Sequence, residues 1–466
     1  MVSRRTPATL LSVLALAVGA CQAPGLAPTP DAGVAHELAV DFRAGAPEAD
    51  KAALRARFGA ARVTPLHGQT EVWTLGSAEA AAHAASTLAS EPAVDFAAPN
   101  APRRLAGFYF RSPSPTPTPA PAIMMPGAPA TANAAPTPQP VVAAPVTRPI
   151  NPQGDPDSDK QWYLAQSRFT DVWASSTGHG VTVAVIDSGV DPDHPDLKAN
   201  LLPMIDEVAA RGKRDLSYGR DYAGLDGNGH GTHVAGIIGA SASNGRGIRG
   251  AAPSVKLLPI KVTTALGETD DVTIAKGIFD AVDQGAHVIN LSIGGPDPSL
   301  LLLEAINYAF NRGVTVVIAA GNEAREVNYP AAFDGVIAVG ALSHTAQVTS
   351  YSNRGPKLVI CAPGGGKAGG WEGPAIFATT PTYPCHVTQT EGNTQAYGYL
   401  AGTSMATPMV TAAVALILAN EPGLAPAQVR TRLAATATDL ETPGYDERSG
   451  FGALDAKRAF DHGKRP

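Results

Sequence analysis

The chain has 466 residues, a net charge of −6 and 44% apolar residues. That length exceeds one ordinary domain. Three cysteines are too few for a disulfide framework. The acidic balance, with Lys and Arg scattered and never in a run, argues against nucleic acid as a partner, because phosphate binding needs a basic face.

Arg4 and Arg5 precede an apolar stretch, Leu10 to Val18, too short to span a bilayer as a helix. Residues 1–20 therefore read as an export signal peptide. Val18-Gly19-Ala20-Cys21 resembles a bacterial lipobox, which implies a lipid anchor at Cys21. The alternative is plain secretion after cleavage at Ala20. The expected location is outside the cytoplasm, as a cell-envelope lipoprotein or a secreted protein.

Residues 36–105 form a small unit. Glu37 to Arg43 alternates like a strand. Glu48 to Phe58 and Ser77 to Ser90 are Ala-rich with helical spacing, and Pro47 suits a helix start. Val63 to Leu66, Glu71 to Leu75 and Val94 to Phe96 complete a β-α-β-β-α-β order, which predicts an α+β, ferredoxin-like fold. Residues 106–152 are a Pro-rich linker that favours extended polyproline II.

Residues 153–462 form the larger domain. Val181 to Ile186, Lys256 to Val262, Val288 to Leu291, Val314 to Ala319 and Val336 to Val339 are apolar runs suited to strands covered on both faces. Helical stretches lie among them at Asp271 to Gln284 and Ser299 to Arg312, and later at Met405 to Ala419. The alternation predicts an α/β fold with a doubly wound parallel sheet. Functional residues then belong at the carboxyl ends of strands. Asp187 and Asn322 follow strands in this way. Asp226-Gly227-Asn228-Gly229 looks like a cation loop, but it leads into a helix and reads as structural. Cys361 and Cys385 either pair or stay as buried thiols.

Three segments carry chemistry: Val183 to Gly189 around Asp187, His230-Gly231-Thr232-His233-Val234-Ala235-Gly236, and Gly402-Thr403-Ser404-Met405-Ala406-Thr407-Pro408. Together they resemble the subtilisin-like serine protease (subtilase) family. The resemblance implies an exported serine endopeptidase that works through an acyl-enzyme and is made as a self-processing zymogen. Residues 36–105 would be its inhibitor-type propeptide, acting as an intramolecular inhibitor. Peptide hydrolysis needs an activated nucleophile, a base with a pKa near 7 and donors for the oxyanion. The resemblance gives these roles to Ser404 as nucleophile, His233 as base and Asp187 as its orienting acid. Asn322 and the Ser404 backbone N–H form the oxyanion hole. His230 is left a packing role. Ser292, Gly294 and Gly295 match the substrate-binding stretch. Residues 364–399 are an insertion relative to the family. No cofactor is expected for catalysis. A structural Ca²⁺ is expected at Asp155, Asp196 and Asn244 and at the backbone carbonyls of Arg246 and Ile248, since hard oxygen ligands suit that ion. The expected partners are protein or peptide substrates, and the expected state is a monomer.

Overall fold

The computed structural model describes residues 36–105, the backbone of 108–109, and residues 154–366, 372–390 and 392–462. The export segment, Cys21 and the linker apart from 108–109 lie outside the described residues.

The first unit consists of β1 (Glu37–Phe42), α1 (Glu48–Arg57), β2 (Arg62–His67), β3 (Thr70–Thr74), α2 (Ala78–Leu88) and β4 (Val94–Pro99). Its antiparallel sheet has the order β2-β3-β1-β4, as a ferredoxin-like chain requires. Local chemistry fixes the helices. The Ser77 hydroxyl accepts from the Ala80 amide at the start of α2. Glu48 and Asp50 open α1 and Arg55 and Arg57 close it, complementing the helix dipole. Strand alternation then divides the side chains between two cores. Leu38, Val40, Phe42 and Trp73 pack on Leu54, Ala81, Ala84 and Leu88 to form the unit's own core. Ala39 and Val72, on the opposite sheet face, join the core of the larger domain.

Docking is specific as well as apolar. His67 stacks on Phe279 with centroids 4.2 Å apart and meets the edge of Tyr308 at 4.4 Å. Glu37 pairs with Arg211 at 2.5 Å. The chain then continues into two short strands that composition does not signal, β5 (Pro102–Leu105) and β6 (Phe108–Tyr109).

The larger domain opens with α3 (Trp162–Gln166), β7 (Thr182–Asp187), β8 (Ile205–Asp206) and α4 (Glu207–Ala210). A small hairpin of β9 (Leu216–Ser217) and β10 (Arg220–Asp221) precedes α5 (His230–Gly239). Next come β11 (Lys256–Lys261), β12 (Glu268–Asp270), α6 (Asp271–Asp283), β13 (Val288–Leu291), β14 (Ile293–Gly294), α7 (Leu300–Asn311), β15 (Thr315–Ala319), β16 (Ile337–Leu342) and β17 (Ile360–Pro363). The end of the domain holds β18 (Ile376–Thr379), α8 (His386–Gln389), β19 (Tyr397–Ala401), α9 (Thr403–Asn420), α10 (Pro426–Thr436) and α11 (Ala456–Asp461).

Seven parallel strands form the central sheet in the order β17-β16-β15-β13-β7-β11-β8. Helix α9 runs through the core with Thr403 to Leu418 buried. It is the one helix among the described residues long and apolar enough to cross a membrane, and 89% of its apolar window is buried in the fold. The 364–399 segment is more than a surface insertion, because every residue of β18 is buried. A Cβ on Gly236 would sit 2.1 Å from the Thr379 hydroxyl, so α5 and β18 approach closely.

Cys361 and Cys385 are both free and buried, which excludes their pairing. Burial raises both thiols, Cys385 to about 12. Neither should react with a thiol reagent in the native protein, and both should react in denaturant. A reductant should leave the melting temperature unchanged.

Candidate active site

Strand β7 delivers Asp187 at its carboxyl end, fully buried. Its Oδ1 accepts from the Ser188 amide at 2.8 Å and lies 2.8 Å from His230 Nδ1. His230 is also fully buried, and among the described residues its Nε2 has no hydrogen-bond partner. The reason is local. His230 is the first residue of α5, and Gly231 follows it. A Cβ on Gly231 would lie 2.1 Å from the Gly189 carbonyl oxygen, so only glycine lets the helix start come this close to the strand end. Asp226 fixes the entry to α5. Its carboxylate accepts from the Ser188 hydroxyl, the amides of Asn228, Gly229 and Thr232, and the Thr232 hydroxyl. The loop is thus a hydrogen-bonded helix start, as its structural reading expects.

This geometry corrects the choice of base. His233, the expected base, faces away from Asp187. Its Nε2 lies 3.1 Å from the Ile376 carbonyl in β18. Burial, reinforced by His230, pushes its imidazole down to about 3. A ring that burial holds neutral near pH 7 is poorly suited to gain and lose a proton there. The histidine that Asp187 can orient is His230.

Ser404 lies in the first turn of α9, which packs against α5. The turn is tied to Asn322. The Thr403 amide and hydroxyl both donate to Asn322 Oδ1, at 2.8 and 3.0 Å. This anchors the amide by its acceptor end beside the Ser404 turn, so its N–H donors belong to the other end. Ser292 donates to the Ser404 carbonyl at 3.3 Å. Thr403 escaped the sequence reading, although it immediately precedes Ser404.

A peptide already lies along the site. Strand β5 is the middle strand of an antiparallel sheet, between β12 and β14. Arg104 faces Glu268 on one side and Gly294 on the other, and Leu105 faces Ile293. The Leu105 amide donates to the Gly267 carbonyl at 3.1 Å. Beyond it, β6 pairs antiparallel with β19, Phe108 opposite Ala401. Ala401 is three residues from Ser404. The chain therefore holds its own segment in extended conformation on both sides of the nucleophile candidate.

The five calcium candidates come together, but they do not fit a cation. Asp155 accepts from the Ser243 and Asn244 amides. Asp196 accepts from the Asn244 side chain at 2.9 Å, the Ile248 amide at 2.9 Å and the Tyr397 hydroxyl at 2.9 Å. The Arg246 amide donates to Asn244 Oδ1. N–H and O–H donors thus face the oxygens a cation would need. The Tyr397 ring also fills the loop, since a Cβ on Gly247 would lie 2.1 Å from it. Among the described residues no cluster of three or more His, Cys, Asp or Glu side chains is placed to hold a metal.

Both the Asp196 loop and the buried His233 can be tested by thermal melts of Ser404→Ala protein. A chelator should not move the melting temperature, whereas Tyr397→Phe should lower it by removing a hydrogen bond to a carboxylate, worth about 1.5–3 kcal/mol. Below about pH 6.5 the unfolded His233 takes up a proton that the folded one refuses until about pH 3. Stability should therefore fall as pH drops through that window. His233→Gln, which keeps a donor for the Ile376 carbonyl, should flatten the fall in a pH series of thermal melts.

The Subtilase family profile matches residues 178–452. Subtilisin DY of Bacillus licheniformis is 39% identical over 58% of this chain and 87% of its own length. The Minor extracellular protease Epr of Bacillus subtilis is 34% identical over 65% of this chain, which spans only 42% of that protein. The crystal structure of fervidolysin from Fervidobacterium pennivorans, a keratinolytic enzyme related to subtilisin, superposes with a TM-score of 0.70 at 26% identity, over 91% of this chain and 61% of that one. The lipid-anchor reading of Cys21 gains no support from these relatives. With a family profile that covers more than half of it and a subtilisin fold around the site, the chain belongs to the subtilase family, whose chemistry is that of subtilisin-like serine endopeptidases.

Proposed function

We propose that this protein is an exported serine endopeptidase in which Asp187, His230 and Ser404 act as the triad, and that it is made as a zymogen with residues 36–105 as its inhibitor. Ser404 Oγ attacks the peptide carbonyl carbon and its proton passes to His230 Nε2. Asp187 holds the Nδ1–H and stabilises the imidazolium. The oxyanion receives the Asn322 side-chain amide and the Ser404 backbone N–H, the latter at a helix N-terminus. The C–N bond then breaks and the amine leaves with the proton from Nε2. Water, activated by the same nitrogen, releases the acyl group and regenerates Ser404. Ser292, Gly294 and Gly295 line the strand that an extended substrate joins by β-augmentation.

The observation that carries the zymogen reading is β5, a strand of the chain's own leader, paired on both edges within the cleft. Only residues 106 and 107 separate it from β6, which pairs on the other side of the nucleophile. The bond cut in maturation then lies in the step from Leu105 to Phe108. Wild-type enzyme should acquire an N-terminus within that step, read by N-terminal sequencing, while Ser404→Ala should stay uncut. A purified Ser404→Ala protein that processes itself would overturn the proposal. His230→Ala should lower kcat on casein by about 10⁴-fold or more. His233→Gln should cost less than about tenfold, because it changes packing and removes no proton-transfer group.

A further inference from the structure

The buried cation in the cleft has no counterpart in a generic extended-peptide site. Arg103 lies in β5, and its side chain is 2% exposed. Its Nε lies 2.6 Å from Asp271 Oδ1 and one terminal nitrogen 3.3 Å from Oδ2, a two-point pairing of fork and carboxylate. The Asp271 side chain is 1% exposed. The guanidinium lies against Gly295, where a Cβ would come within 2.6 Å of it. Alternation along the strand sends Arg103 inward, while the neighbouring Arg104 is 72% exposed.

Resting on the peptidase reading above, we propose that Asp271 and Gly295 form an acidic subsite that selects substrates with arginine at the place Arg103 occupies, two residues before the one aligned with Leu105. The carboxylate belongs to the catalytic domain and remains when the leader departs. Its position is set by α6, of which it is the first residue, next to the capping Asp270. Asp270 is already committed, since it caps the Thr273 amide and pairs with Lys213. Asp271 has no cation of its own domain comparably placed among the described ion pairs. Burial raises its carboxyl above the usual range, and Arg103 opposes that rise. An incoming guanidinium therefore supplies the counter-charge to a desolvated carboxylate that an apolar side chain would leave with Ser299 as its hydrogen-bond partner and no cation. Arginine should exceed lysine, because the two-point contact needs the planar fork. Gly295 supplies the space: any larger residue there would occupy the volume of the guanidinium.

The test uses mature enzyme and synthetic peptides spanning residues 102–109, with the Arg103 position changed to Lys, Ala or Glu. Expected kcat/KM falls in the order Arg, Lys, Ala, Glu, with Arg at least tenfold above Ala. Asp271→Asn should reduce the Arg-to-Ala ratio to within about threefold while the Ala peptide is cut at close to the wild-type rate. Gly295→Ala should slow the Arg peptide more than the Ala peptide, because its methyl takes the guanidinium's space, and provides a second probe if Asp271→Asn folds poorly. Equal cleavage of all four peptides by wild-type enzyme would overturn the subsite and leave the peptidase reading intact. Failure to cleave any peptide, together with no labelling of Ser404 by a fluorophosphonate, would overturn the peptidase reading and the subsite with it.

Discussion

The site depends on one steric constraint, the contact between the start of α5 and the end of β7. Gly231 sits so close to the Gly189 carbonyl that no side chain fits between them. That contact places the preceding residue, His230, with Nδ1 on the Asp187 carboxylate. His233 is three positions further along, rotated about 60° around the helix axis and roughly 4.5 Å along it. It meets the backbone of β18 and cannot meet Asp187. Asp226 reinforces the geometry from below by gathering both the Asp187 turn, through Ser188, and the first turn of α5. A parallel sheet makes this possible because its strand ends, loops and helix starts converge on one edge.

Much of this was legible in sequence. The apolar runs of β7, β11, β13 and β15 are buried on both faces, and a parallel sheet is the arrangement that covers both faces of a strand. Asp187 and Asn322 were placed correctly at strand ends because that rule is topological. The histidine pair was not legible in the same way. In His230-Gly231-Thr232-His233 both rings lie on one helix, and the choice between them depends on which residue lies beside the close contact. The glycine after His230 was the available signal, because it marks a packing requirement at the helix start.

Other elements were hidden because their partners are distant in sequence. Pro102-Arg103-Arg104-Leu105 has neither strand propensity nor alternation of apolar residues. It becomes a strand because β12 and β14, more than 160 residues away, offer unpaired edges. The Asp155, Asp196 and Asn244 cluster was legible as a cluster. Whether carbonyls or amides face its carboxylates depends on backbone orientation, and on Tyr397, which arrives from β19 to fill the loop. Composition identifies the oxygens and says nothing about their occupants.

The leader's contacts are of two physical kinds, and they separate the functions of holding and instructing. Its sheet face buries apolar surface against α6 and α7, which rewards any sequence of suitable shape. Its tail satisfies groups the catalytic domain cannot satisfy alone. The Asn100 side chain and the Ala101 carbonyl accept from the Val272 and Asp271 amides, at 3.0 Å each, at the otherwise open start of α6. Arg103 neutralises Asp271. While the leader is covalently attached, its effective concentration keeps these contacts filled. In the proposed maturation, one cut turns the same contacts into a bimolecular equilibrium, and a peptide with the same polar pattern then competes for them on equal terms. On the zymogen reading, the leader's tail is both the inhibitor's anchor and a template for the substrate, because a helix start and a buried carboxylate must be satisfied by whichever chain occupies the cleft.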